Sequence, residues 1–521
     1  MADKNLNSIT FPGLPDRYVL DAGNVNYSDG ASYRGGTVGR KLRELERRIE
    51  GDLLFGAKWD RLTNLMTRTR DAAGITTDTT NFKHSGTFNA NLDNPFDSIY
   101  PWSEMVVCNI DLAAYKGRTG NESLKEFITA VYGDADFTCE GSANLFVGRY
   151  RPEFWYRSSE DANGNVEFLV SQSERVGYKH AEEAIDGISF AIDAGTVGGQ
   201  HVVTAGAGVP YTNVAGSTLH AYAKNSGFTL QDIDAVDAQT CLFFVEYANM
   251  NVQAALGAGC DNCYRENATD AIANVTVGED STTFTVTDSA LSSVVYKGAQ
   301  ADFGASAGGY TYRGIISDFS VSGSVYTITV KPALALTNGL IMSIHGFAAC
   351  EFPYIGASVG NGSGYIGTAD KANAYYRGCV MYANRYQYIL GIYRESGTNH
   401  LWICDEADPD DYDALNTSVH TDTGTALPNL ETAGWQTVGG NAKRIAGLAA
   451  FMATGASSGS SASPVGDQQY VPLINAGNTV LWLGCRANHG WYCGVLGCAW
   501  DYDAGNSNWA FAARPLLKKS L

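Results

Sequence analysis

At 521 residues with a formal net charge of −19, the chain has room for roughly two or three domains, and it lacks the Lys and Arg patches that neutralising phosphate requires. Its wealth of Gly, Tyr, Ser and Thr favours strands and loops over long helices, so the expected class is a β-rich α+β fold. No apolar run approaches a bilayer-spanning length, and Met1-Ala-Asp-Lys-Asn5 has no signal-peptide core, so synthesis in a cytoplasm without membrane insertion is expected.

Residues 1–53 read as an attachment arm followed by a helix. Val38, Leu42, Leu45 and Ile49 are spaced four, three and four apart, the seam of a short coiled coil, and Gly51 stops it. Two heptads cannot stand alone, so the helix is read as a self-association stalk, with an amphipathic helix lying on its own domain as the alternative. From Leu54 the pattern turns β-like. Between 268 and 346, Ser281–Thr287, Gly314–Val321 and Ser324–Lys331 alternate apolar and polar residues between Gly and Ser turns, which predicts an inserted β-sandwich-like module serving as spacer or trimer contact. Asp405–Asp413 gathers carboxylates without a calcium-loop spacing and reads as a solvated acidic turn, and 453–464 is a low-complexity loop.

The last stretch, Asn478–Pro515, interleaves two residue kinds. Gly484, Gly490, Gly494, Val495, Leu496, Gly497, Phe511 and Ala513 read as framework. Between them stand Arg486, Asn488, His489, Trp491, Tyr492, Cys493, Cys498, Trp500, Asp501, Tyr502, Asp503, Asn506, Asn508 and Ala510, the candidate ligand-binding face. Trp500 and Trp509 also fit the framework, and Trp509 is expected to be buried.

Several segments resemble known families. The pattern Leu-Gly-x-x-x-Asn-x-Gly-x-x-x-Gly-Val over Leu483–Val495, with Asn506-Ser-Asn-Trp509 and Ala513-Arg-Pro515, is similar to the variable region of proteins targeted by diversity-generating retroelements. Arg68-Thr-Arg-Asp71, Asn94-Pro-Phe-Asp97, Phe154-Trp-Tyr-Arg157, Glu246-Tyr247, Tyr376-Arg-Gly378 and Trp435-Gln-Thr-Val-Gly-Gly440 resemble, in this order, motifs of phage structural proteins of gut and Gram-positive hosts. The resemblance implies a C-type-lectin-like fold of the formylglycine-generating-enzyme superfamily, with the inserted module, a short N-terminal coiled-coil helix and a variable region at about 484–511. Residues 54–267 and 347–521 would be its two parts. It also implies adenine-directed diversification, which does not reach Lys, Glu, Gln, Met or Trp at the exchanged positions; the absence of Lys, Glu, Gln and Met from Asn478 to Pro515 is consistent with it.

The function implied is a homotrimeric phage tail-fibre adhesin in the virion, joined through its N-terminus to other tail proteins and binding a bacterial surface receptor, protein or glycan. The alternatives are a structural baseplate or decoration protein, or a formylglycine-generating-type oxidase using Cys493 and Cys498. No catalytic set, metal signature or cofactor motif accompanies those cysteines: Cys260-x-x-Cys263 has no second pair, and the eight His are scattered. The expectation is therefore binding without cofactor or metal. Most of the eleven Cys are expected to be buried thiols.

Overall fold

The computed structural model describes residues 53–76, 94–256 with breaks at 120–121, 139–140, 188–189, 193–201 and 205–209, the strands and turns of 264–347, and 375–404, 413–455 and 465–520, less 383, 487–488 and 490–491. The expected N-terminal helix of Val38, Leu42, Leu45 and Ile49, the Cys260/Cys263 pair and most of the acidic turn lie outside them. The class is β-rich α+β.

Three sheets build the main body. Met66–Arg70, Leu54–Trp59, Val166–Ser171, Phe154–Glu160 and Lys179–Ala181 form the first in that order. The second runs Thr229–Leu230, Pro515–Lys518, Ala184–Gly187, Leu145–Arg151, Val106–Asp111, Ile128–Val131, so the C-terminal strand lies inside a sheet otherwise made by the first half of the chain. The third centres on Tyr386–Arg394, flanked by His400–Cys404 and Thr479–Leu483 and joined in parallel by Phe511–Ala512. Every residue of Tyr386–Arg394 is buried, which its near-continuous apolar run dictates. Gly391, at φ 79°, lies where the pairing with Thr479–Leu483 shifts register, a bulge conformation that a side chain resists.

One apolar core joins these sheets to the helix Ile233–Tyr247. That helix is buried on every side except at Asp234, as expected of a helix apolar all round. Asp232 caps its start by accepting from Ala235 N at 2.9 Å. From its middle, the Asp237 carboxylate accepts from three successive amides, Ala449, Ala450 and Phe451, at 2.6–2.8 Å, pinning the 447–451 turn to the helix.

The motifs quoted from the two halves of the chain meet at the end of this helix. The Glu246 carboxylate accepts from Asn94 Nδ2 (2.6 Å), Tyr376 Oη (2.8 Å), Arg377 Nε (2.8 Å) and Arg377 Nη2 (2.7 Å). Arg377 also reaches Asp97 at 2.9 Å and the Trp102 carbonyl at 3.0 Å, while Arg68 donates to the Glu246 carbonyl. Four motifs far apart in sequence thus supply one buried polar knot.

Among the described residues the module is a curled antiparallel sheet of seven strands with its own core of Phe284, Phe303, Ile316, Tyr326, Ile328 and neighbours. Bulges at Phe303/Gly304 and Ile316/Asp318 interrupt the ladders, and residues from both edge regions share the core. The strand Tyr264–Arg265, ahead of the expected boundary at 268, belongs to this sheet.

Candidate functional site: a pinned C-terminal loop

The segment 484–511 leaves the third sheet after Thr479–Leu483, touches it again at Cys498–Ala499 and rejoins it at Phe511–Ala512. Gly484 (φ 92°) and Cys485 (φ 59°) turn the chain out of Thr479–Leu483. Backbone bonds then fasten the excursion: Gly484 N to Gly497 O (2.7 Å), Val480 N to Tyr502 O (3.0 Å), Asn213 N to Asn508 O (2.8 Å) and Ser217 N to Ala504 O (3.0 Å). The framework residues Gly484, Gly494, Val495, Leu496, Gly497, Phe511 and Ala513 are buried.

Beneath the loop lies Asp467, fully buried, whose Oδ2 accepts from Leu496 N at 2.8 Å. Its carboxyl fills the space a side chain at Gly494 would take, since a Cβ there would fall well inside 3.0 Å of it. Burial pushes the Asp467 carboxyl up to about 7 from an ordinary 3.8, the bond from Leu496 only partly opposing it. The folded state therefore prefers the protonated acid. Stability falls as pH rises from about 4 towards 7, and the full cost is present above 7. Asp467→Asn should flatten that slope and raise the unfolding temperature at pH 8 relative to the parent. An unchanged difference in melting temperature between pH 5 and pH 8 would show that Asp467 is not the source.

The candidate face sorts into two sets. Cys493, Cys498 and Trp500 are 0% exposed and Ala510 1%, so these four belong to the interior, a correction to the expected face. Cys498 lies in a two-residue strand between Thr479–Leu483 and Gln468–Val471, Trp500 bonds Gln469 Oε1 through Nε1 at 3.3 Å, and Ala510 O accepts from Tyr386 N at 2.8 Å. Burial holds the Cys498 thiol protonated, unlike a metal-binding thiolate.

Arg486, His489, Tyr492, Asp501, Tyr502, Asn506 and Asn508 are half-buried and Asp503 is exposed; Asn488 and Trp491 lie outside the described residues. Some of these also hold turns: Asp503 Oδ1 accepts from Gly505 N at 2.8 Å and Asn508 Oδ1 from Ala510 N at 3.0 Å. Trp509 is half-buried, more open than expected.

Arg486, His489 and Tyr492 form one cluster with residues from other strands. Arg486 Nε donates to His489 Nε2 at 2.9 Å, and His489 Nδ1 lies 3.4 Å from Tyr386 Oη. Burial, aided by Arg486, drives His489 down to about 3, so its ring is neutral at neutral pH and Nε2 can accept. Trp435 packs edge-on against His489 (4.8 Å) and against Tyr470 (5.5 Å), and tilts over Tyr492 (5.5 Å). On its other side Arg486 sits over Trp509 at 5.9 Å, and Trp509 stacks on His345 of the inserted module at 4.4 Å. Burial raises Asp501 to about 6 against the pull of Arg486 and Tyr502. Such a surface, with rigid rings, one cation and small amides, offers contact area and hydrogen bonds at little entropic cost.

Trp435 belongs to a sequence motif but not to the expected face, and neither Asp467 nor His345 is among the expected site residues. The motif around Trp435 was the one available signal. Of the acidic turn, Asp413 is described: its Oδ1 accepts from Tyr388 Oη at 2.8 Å and lies 3.3 Å from His220 Nδ1, a structural pairing. No group of metal-binding residues occurs among the described residues, and none of their helices is long and apolar enough to cross a membrane. Six of the seven described cysteines are buried. A scan against protein-family models finds no match to this chain, and a search of curated proteins finds no similar protein.

Proposed function

We propose that the chain is a phage receptor-binding protein, a virion tail-fibre adhesin whose C-type-lectin-like body displays 484–511 as a diversified recognition loop for a bacterial surface receptor. One observation carries this reading: the loop is fixed at both ends by buried strands and along its length by backbone bonds, while Arg486, His489, Tyr492, Asp501, Tyr502 and Asp503 remain partly or fully exposed. A rigid support with varied side chains above it tolerates exchange at the surface without loss of fold. The action is binding rather than turnover, and three copies joined by the N-terminal segment would add avidity to a modest single-site affinity.

Tyr492→Ala and Tyr502→Ala should each weaken cell adsorption by about 30-fold, the effect of losing ~2 kcal/mol at a hot spot, with assembly intact. Adsorption of the double variant at the parental level would end this reading. Loss of the oligomer instead would assign the two tyrosines to subunit contact. The diversification part is read from the genome: a neighbouring reverse transcriptase gene and a near-copy of the Gly484–Pro515 codons differing at adenines.

A further inference from the structure

We infer that Trp435, on a strand outside 484–511, is a positioning residue for recognition: it sets the direction in which His489 and Tyr492 are presented to the receptor. The inference rests on the adhesin reading and names the fixed ring on which two exchangeable side chains lean.

Arg486, His489 and Tyr492 form a row. His489 N donates to Arg486 O at 3.1 Å and Tyr492 N to His489 O at 3.2 Å, two successive bonds each spanning three residues. In turns of that kind side chains three apart lie one above another, so the three share a side of the backbone. The far end of the row is tied to the helix Val252–Leu256, where Gln253 Nε2 donates to Cys493 O at 2.7 Å. These bonds fix the main chain. The χ angles of His489 and Tyr492 are a separate matter, chosen among staggered wells by what the rings touch.

Trp435 touches both. Its ring stands edge-on to His489 at 4.8 Å, with 73° between the planes, and lies 5.5 Å from Tyr492 at 34°. Its own place is set by the sheet rather than by the loop. In the antiparallel pair of Gly434–Thr437 with Gln468–Val471, Trp435 lies directly opposite Tyr470, and the two rings meet at 5.5 Å. Gln468–Val471 pairs in turn with Cys498–Ala499, both residues of which are buried. Trp435 thus carries the geometry of the buried framework to two side chains of the face, and an indole with two rotatable bonds does so at low entropic cost. It is itself half-buried, on the last strand of the eight-stranded sheet.

Arg486, at the other end of the row, has supports of its own: His489 Nε2 at 2.9 Å and the Trp509 ring at 5.9 Å. A change at Trp435 therefore reaches positions 489 and 492 first. Exchange at those positions alters which groups are shown, while Trp435 keeps them facing one way.

The test uses the full chain and intact cells of a panel of bacterial strains, with the apparent affinity of capture read by fluorescence. Trp435→Leu keeps apolar bulk on the strand and removes the flat ring. It should weaken capture at least about tenfold with little change in melting temperature, and Trp435→Phe should recover affinity to within about threefold of the parent. A double-mutant cycle separates positioning from other roles. In a chain already carrying His489→Ala and Tyr492→Ala, Trp435→Leu should cost less than about twofold, because the side chains it orients are gone. The full tenfold cost in that background would make Trp435 a direct contact or a part of the fold and would overturn the inference. Parental affinity of Trp435→Leu in the unaltered chain would overturn it as well, as would a loss that tracks the melting temperature and that Trp435→Phe does not repair. Capture of no strain by the parent would overturn the adhesin reading and this inference with it.

Discussion

Glu246→Ala should destabilise the main body by about 3–5 kcal/mol, read as a shift of its denaturant midpoint, because the change strips a buried guanidinium of its main partner. Arg377, Tyr376 and Asn94 all donate to the Glu246 carboxylate, and of these three only Arg377 also donates to Asp97. The size of the effect reflects an uncompensated charge more than the strength of the pair itself. Replacing both partners, Glu246→Leu with Arg377→Met, should therefore recover much of the loss. A cost below about 1 kcal/mol for Glu246→Ala would mean that this knot does not tie the two halves together.

Gly494→Ala should be nearly as damaging, on the order of 3 kcal/mol, and should act locally on the loop. The new methyl would overlap the Asp467 carboxyl, which is held from Leu496 N and walled in by the core. Amide exchange across 484–511 should quicken, and cell adsorption should fall although no exposed side chain has changed. Asp467→Gly in the same chain makes room for the methyl and should restore part of the loop's protection. If Gly494→Ala leaves both the exchange and the midpoint where they were, the loop does not depend on this close approach.

The sequence carried the framework of the site better than its face. Val495, Leu496 and Phe511 are apolar, and Gly484 and Gly497 mark tight backbone passages, so residue type alone placed them inside. Cys493, Cys498 and Ala510 went the other way because an irregular loop has no period of two or 3.6 to say which side chains turn inward. A small residue there suits a crowded interior as well as an exchanged surface. Trp500 is inside for a different reason: its indole meets Gln469, a partner on another strand. The order of the motifs around Asn94, Glu246 and Arg377 was plain in the sequence, yet their convergence on one carboxylate is a property of the fold. The stacking of His345 on Trp509 joins residues from an insertion and from the C-terminal loop, and nothing local to either announces it. Asp467 shows the same limit, since a lone acid reads as a surface residue until its burial is known.

The place of Pro515–Lys518 has a consequence for how copies of this protein are made. The strand pairs on one side with Thr229–Leu230 and on the other with Ala184–Gly187, so it fills the middle of a sheet begun hundreds of residues earlier. A ribosome that stops within the loop, at a nonsense or frameshifted codon, releases a chain with an open slot in that sheet and two strand edges left bare. Such products are bound for aggregation or proteolysis. Only a chain translated through Leu517 can close that sheet, whatever residues the loop before it carries.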